Sequence, residues 1–336
     1  MFKSLRAVLL FLLLGSFSYA QGDLFDDSTA LHVSIIAHWN EVLADRGDSS
    51  VFHKAKINYC ENGQTKLFRA NIRSRGHFRR NPQVCDFPPL KVKIKKEERQ
   101  GTLFKEHKNL KLVCHCKEDA AVLKEYLVYK TYEMLTPYAF QVRLAIITYL
   151  DYNNELPPVK HYAFFIEDDK HMAKRLGGKR FQEPIASVDT VNQEQLALIH
   201  GFMYMIGNMD WNVKIRKNIK TISLPHERNL IPVPYDFDWC GAVNASYVPL
   251  PKTFDRRDMK GLCRTEEEWE SLASTFLDKV VAIKKLYKGF GRLSYEDRTY
   301  MMQYYRVFLR LLDKKERIQK HFITPCSSDE SLSSGK

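Results

Sequence analysis

Hydrophobic and polar positions along the chain separate a strand-rich half from a helix-rich half. Leu31, Ile35, Ile36, Trp39 and Leu43 fall near helical spacing and predict a helix over residues 31–45. From residue 51 to about 94 the period shortens to two. Ala55-Lys56-Ile57-Asn58-Tyr59 alternates, Glu61-Asn62-Gly63-Gln64 holds the Asn-Gly pair of a tight hairpin, and residues 67–72 return as a strand. Leu90-Lys91-Val92-Lys93-Ile94 alternates strictly, so its two lysines share a face. Residues 110–114 read as another strand. A helix is predicted over about 119–135, stopped before Pro137. Strands over 141–151 and 162–166 follow, separated by the turn Asn153-Asn154-Glu155. In the second half Leu196, Ile199, Met203 and Ile206 form a helical stripe that ends at Gly207. A polar loop, 208–217, leads into a hairpin with strands over 218–223 and 230–235. Two long helices close the chain, with N-caps at Thr265-x-x-Glu268 and Ser294-x-x-Asp297. This order predicts an α+β protein with a β-rich lobe over 21–168, a helical lobe over 169–324, a cleft between them and a disordered tail over 325–336.

The start of the chain changes the picture of where the protein works. Lys3 and Arg6 precede a short apolar run over 7–14, and Ser18-Tyr19-Ala20 supplies a small-residue end. The run is too short to span a bilayer, and the pattern reads as a cleavable signal peptide over 1–20. The expected location is therefore outside the cytoplasm, periplasmic or extracellular, with no transmembrane segment after cleavage. Without those residues, 50 basic against 40 acidic side chains leave a charge of +10. Such a surface attracts anionic partners, nucleotides and acidic proteins among them; export argues against nucleic acid. Seven cysteines in an exported chain favour disulfides and leave at least one thiol over. Cys114-His115-Cys116 lacks the second ligand pair of a closed zinc site.

Two acidic clusters stand out as chemistry. Gly207-Asn208-Met209-Asp210-Trp211-Asn212 follows a helix, and Pro234-Tyr235-Asp236-Phe237-Asp238-Trp239 follows a strand. Asn218 lies between them. A polar loop and a strand end joined by a hairpin can bring such oxygen ligands together, and Mg²⁺ asks for one or two carboxylates plus substrate phosphates. A further Asp beside a hydroxyl could orient it or take its proton.

The pair GNMDWN and IPVPYDFDW resembles the signature of the spore-coat protein H (CotH) kinase family, secreted relatives of protein kinases. Ile72-Arg73-Ser74-Arg75-Gly76-His77, Pro89-Leu90-Lys91-Val92-Lys93-Ile94 and Tyr162-Ala163-Phe164-Phe165-Ile166-Glu167 resemble the family's upstream strands, in the same order. The resemblance implies a two-lobed protein-kinase-like fold. It implies a phosphotransferase that uses ATP and Mg²⁺ (or Mn²⁺) to phosphorylate a Ser or Thr hydroxyl of a protein acceptor, acidic acceptors included. On that resemblance Asp210 meets the acceptor hydroxyl. Asn218, or Asn212 in its place, binds metal with Asp236, and Asp238 shares that duty. Lys91 or Lys93 neutralises phosphate, Glu125 pairs with that lysine, Arg75-Gly76 with Arg79 and Arg80 lies near the phosphates, and the backbone of 165–167, ending at Glu167, meets adenine. The chain departs from ordinary kinases: it has no GxGxxG loop and no His-Arg-Asp triplet, and Asp follows Asp236-Phe237. A nucleotide- or partner-binding pseudokinase is the alternative, and a metal-dependent hydrolase ranks third.

Overall fold

The computed structural model of the chain describes residues 22–249, 257 and 261–324. The expected signal peptide and tail lie outside the described residues. The elements in chain order are β1 (Leu31–Ala37), α1 (Trp39–Ala44), β2 (His53–Glu61), β3 (Gln64–Ser74), β4 (Leu90–Lys93), α2 (Lys96–Arg99), β5 (Asn109–Val113), α3 (Asp119–Leu135), β6 (Val142–Asp151) and β7 (Val159–Ile166). They continue with α4 (Asp169–Arg175), β8 (Lys179–Phe181), α5 (Gln193–Ile206), β9 (Ile219–Ser223), β10 (Ile231–Pro234), α6 (Glu266–Leu277), α7 (Val280–Gly289), α8 (Tyr295–Leu312) and α9 (Lys315–Ile318).

The first seven strands close a barrel in the order β1-β2-β3-β4-β5-β7-β6. Every pairing is antiparallel except the closing one, where β1 runs parallel to β6 with Leu31 opposite Ala145. Alternation fills the interior: Val33, Ile35, Ile57, Ile72, Leu90, Val92, Leu112 and Ile147 all point inward and are buried. The hairpin between β2 and β3 turns on Asn62 and Gly63, both at positive φ, as the Asn-Gly pair demands.

A second core lies outside the barrel. It packs α3 and the outer faces of β6 and β7 against α5 to α8 and the three-stranded sheet β10-β9-β8. α3 is buried on nearly every side. Lys124 is held there by an ion pair to Asp297 at 3.3 Å. Val122 and Phe164 before the expected lobe boundary share this core with Met172 and Phe202 after it.

This architecture corrects the expected two-lobed protein-kinase-like fold. The N-terminal half is a closed seven-stranded barrel, helix accounts for 35% of the chain, and the C-terminal half contains its own sheet, so it is not a helical lobe. The physical reason sits in residues 31–45. Leu31, Ile35 and Trp39 satisfy a four-residue spacing, but that spacing is also a multiple of two. Leu31, Val33, Ile35 and Ala37 are the buried alternate positions of a strand, and helix begins only at Trp39. That strand closes the barrel.

Cys85 and Cys116 form a disulfide. Cys116 is thereby removed from any metal reading of Cys114-His115-Cys116, and Cys114 is a buried thiol. Among the described residues no helix is long and apolar enough to cross a membrane.

Candidate active site

The site forms where β10 ends. Tyr235-Asp236-Phe237-Asp238 leaves the sheet through a left-handed residue, Asp236, at φ +66°. Phe237 anchors the turn in the second core, against Tyr129 at 4.7 Å and Phe202 at 5.7 Å between ring centres. The backbone N–H of Asp236 donates to the Tyr129 hydroxyl at 2.8 Å. Pinning Phe237 inward splays its neighbours: Asp238 is buried, whereas Asp236 keeps 35% of its side chain exposed.

Arg79, from a single helical turn at Phe78–Arg80, enters this corner and is itself buried. Its guanidinium lies 3.3 Å from Asp238, 3.4 Å from Asp236 and 3.6 Å from Glu125 of α3. The Tyr247 hydroxyl donates to Asp238 Oδ2 at 3.2 Å. Burial pushes the Asp238 carboxyl up to about 6, against the pull of Arg79. Burial also raises Glu125 well above the ordinary carboxylate range, again opposed by Arg79. Burial alone would weaken the charge on Arg79, but Asp238, Glu125 and Asp236 outweigh it and hold the guanidinium protonated. One cation therefore faces three carboxyls whose oxygens lie within 4.8 Å of one another. Glu125 Oε1 is buried there without a hydrogen-bond partner. An excess of oxygen donors with one unfilled acceptor fits a hard divalent cation such as Mg²⁺ or Mn²⁺.

The second acidic cluster is tied to the first. α5 ends in Gly207 at φ +64°, and a Cβ at this position would lie 2.1 Å from the Tyr304 hydroxyl. Gly241 donates its N–H to Gly207 O at 2.8 Å, and Ala242 to Ile206 O at 3.0 Å. Beyond Gly207, the Asp210 N–H donates to Asn208 Oδ1 at 2.9 Å. Asn218 Nδ2 donates to the backbone O of Asp210 at 2.7 Å and to its Oδ2 at 2.9 Å. Asp210 Oδ1 pairs with Lys217. The Tyr235 N–H donates to Asn218 O at 3.0 Å, which sets Asn218 beside the Asp236 corner. Asn212 is spent differently: its Oδ1 caps the turn at Ile215 N, and its N–H meets Lys217 O. Asn218 is thus the better placed of the two asparagines for a metal.

A basic flank completes the site. Lys111 on β5 lies over the Tyr235 ring at 4.5 Å, and Lys220 on β9 over the same ring at 5.1 Å. Burial, then repulsion from Arg75 and Lys220, lowers the Lys111 ammonium to about 7. Burial lowers Lys220 as well. Arg75, Lys111 and Lys220 make no close ion pair with a carboxylate among the described residues; Asp169 attracts both lysines and Asp236 attracts Lys111, and an anion bound between the three would raise the protonation of both lysines. Gly76 turns the chain beside Arg75 at φ +86°, with open space where a Cβ would be.

The structure brings Asp210, Asn218, Asp236, Asp238, Glu125 and Arg75 together. It places the remaining candidates otherwise. Lys91 stands in a cross-strand row with Arg73 and Lys111, and Lys93 turns to the Phe52 ring at 5.6 Å. The partner of Glu125 is Arg79, not either lysine. Residues 165–167 cannot offer a free edge to adenine. Phe165 and Ile166 pair on both sides within the barrel, and the Glu167 N–H donates to Gln141 O. The Glu167 carboxylate is buried against Arg175 and His171. Sequence reasoning missed Lys111, Lys217, Lys220 and Tyr247 as site residues, and it set Arg79 beside phosphate, not against carboxyls. Alternation places Lys111 on the same face of its strand as Val113, which was the available signal for Lys111.

No family model matches the chain, and no curated protein matches its sequence.

Proposed function

We propose that the protein is an exported, divalent-metal-dependent phosphotransferase that moves the γ-phosphoryl group of ATP to a hydroxyl of a protein acceptor. The observation that carries this reading is the meeting, at Tyr235-Asp236, of an oxygen-rich acidic corner with a row of unpaired cations. Phosphoryl transfer needs little else: positioned anionic phosphates, a metal to share their charge, and an oriented hydroxyl. The disulfide and the basic balance support an exported protein with anionic partners. The motif resemblance to CotH kinases supports the residue roles only.

Asp236, with Asn218 beside it, would hold the metal together with an oxygen of Asp238 or Glu125, and the metal would draw charge from the transferring phosphoryl oxygens. Glu125 and Asp238 also fix Arg79. Arg75, Lys111 and Lys220 bind phosphate oxygens. Asp210 orients the acceptor hydroxyl and receives its proton at Oδ1 once Lys217 swings away; Lys217 is half exposed and can do so. A second reading is favoured by the occupancy of Asp210, whose two carboxylate oxygens are both engaged. It is a nucleotide-binding module without turnover.

The test supplies γ-labelled and α-labelled ATP in parallel, with Mg²⁺ or Mn²⁺ and an acidic protein acceptor. Transfer of γ-label by the parent, lost in Asp210→Ala and Asp236→Ala, is the expected result. Bound ATP without transfer selects the binding module, and transfer of α-label replaces the reaction by nucleotidyl transfer. Failure of the folded protein to bind ATP sinks both readings.

A further inference from the structure

A second cluster of ligand-type side chains, separate from the acidic corner, has no part in the proposed transfer. Asp23 belongs to the lead-in before β1, His107 to the loop between α2 and β5, and His171 to α4. One ligand atom of each lies within 4.8 Å of the others. His107 Nε2 sits 3.0 Å from Asp23 Oδ1 and 2.9 Å from Oδ2. The two imidazoles lie 4.4 Å apart between centres, and Phe25 closes one side of His107 at 5.0 Å. His107 is buried, and its Nδ1 has no hydrogen-bond partner.

The surroundings of His171 fix which nitrogen is available. Its Nδ1 meets Glu167 Oε2 at 3.1 Å. Glu167 is fully buried and is itself held by Arg175 and by the Gln141 N–H at 2.8 Å. A carboxylate that orients one ring nitrogen and leaves Nε2 for a cation is the usual support of a metal-bound histidine. Two imidazoles and one carboxylate are the ligand set of a zinc ion that keeps a further position open. Asp23 and His171 are about a quarter exposed, which gives both an entry path and a place for water.

We propose that Asp23, His107 and His171 bind Zn²⁺, with Glu167 as the positioning carboxylate, and that the ion clasps the N-terminal lead-in to the barrel. The site joins three stretches of chain far apart in sequence, so the ion would add to the hold that buried Leu24 and the Arg143 contacts to Leu24 O and Asp27 already give the lead-in.

The test uses the untagged protein, stripped of metal and titrated with Zn²⁺ by calorimetry, with Co²⁺ absorption as a readout of coordination. One equivalent of Zn²⁺ and a raised unfolding temperature are expected. His171→Gln and Asp23→Asn should each weaken Zn²⁺ binding by roughly a hundred-fold, and Glu167→Gln by roughly ten- to a hundred-fold. Asp236→Asn, in the other cluster, should leave Zn²⁺ affinity unchanged. Because His171 and Asp23 are partly exposed and sit on different elements, at least one folded variant is expected, as judged by circular dichroism. No stoichiometric Zn²⁺ binding, or equal affinity in the folded variants, overturns the proposal. So does a loss of Zn²⁺ binding in Asp236→Asn with His171→Gln unaffected.

Discussion

Replacing Arg79 by Leu should turn the acidic corner into a pH-dependent weakness. The side chain is 7% exposed and faces three carboxyls at 3.3–3.6 Å, two of them buried. Removing one partner of a buried ion pair costs about 3–5 kcal/mol, because the remaining charge is left without compensation. That loss has a ceiling, since a carboxyl can take up a proton instead. Asp238 already titrates at about 6, and Glu125 is raised too. Both have folded values above their unfolded ones, so the folded state binds more protons in that range. Their contribution is fully present below the unfolded values and is lost as pH rises through the folded ones. Without Arg79 to pull them down, both folded values move further up. The variant should therefore lose about 3–5 kcal/mol near pH 7.5 and distinctly less near pH 5.5. Millimolar Mg²⁺ should recover more stability in the variant than in the parent, because it meets the same oxygens without competition from the guanidinium. Urea unfolding followed by tryptophan fluorescence, at both pH values and with or without Mg²⁺, reads all of this. Arg79→Lys, which keeps a charge but not the fork, should fall between. An equal loss at both pH values with no effect of Mg²⁺ would show that Arg79 only fills space.

Two further outcomes bear on the site. ATP affinity should fall as pH rises from about 6 to 8, because Lys111 loses its proton near 7. Lys111→Met should lower affinity roughly ten-fold at the acid end and flatten that slope; a fluorescent nucleotide titrated at several pH values measures both, and an unchanged slope removes Lys111 from the anion site. Gly207→Ala places a methyl against the Tyr304 hydroxyl and forces a side chain into the left-handed region, so it should cost about 1–3 kcal/mol and displace the Asp210 loop. Thermal unfolding and label transfer should both decline, and a variant as stable and active as the parent would refute the close contact.

Local signals were read well where one element decided its own fate. Asn62-Gly63 makes its hairpin, α3 runs over the expected residues, α5 stops at Gly207, and Thr265 with Glu268 forms a complete capping box. The failures lie where a partner far along the chain decides. Residues 31–37 match both a helical and a strand spacing, and pairing with β2 and with the distant β6 selects the strand. The site divides in the same way. Asp210, Asn218 and Asp236 stand in two short motifs and were visible as such. Arg79 sits in a run of surface-like arginines, and nothing local says that it is the one drawn under Glu125 and Asp238. Arg80, its neighbour, pairs with Asp48 at the surface instead. Lys91 and Lys93 stand out because their strand alternates cleanly, yet it is Lys111, on the next strand, that lies over the Tyr235 ring. The Asp23, His107 and His171 group is scattered over three elements and has no motif at all.

The parallel closure of the barrel also imposes an order of events on the newborn chain. β1 is the first strand to be made, but one of its two neighbours, β6, begins only at Val142. Until then a row of inward-facing apolar side chains is held on one side by β2 alone, and its other backbone edge is open to any passing strand. Barrel formation must wait for a contact between distant parts of the chain, so folding is slow for its size and can be intercepted. A chain cut just before β6 would keep the pairings among β1 to β5 and still be unable to finish its core. The first strand to be made thus stays half-paired until the sixth arrives.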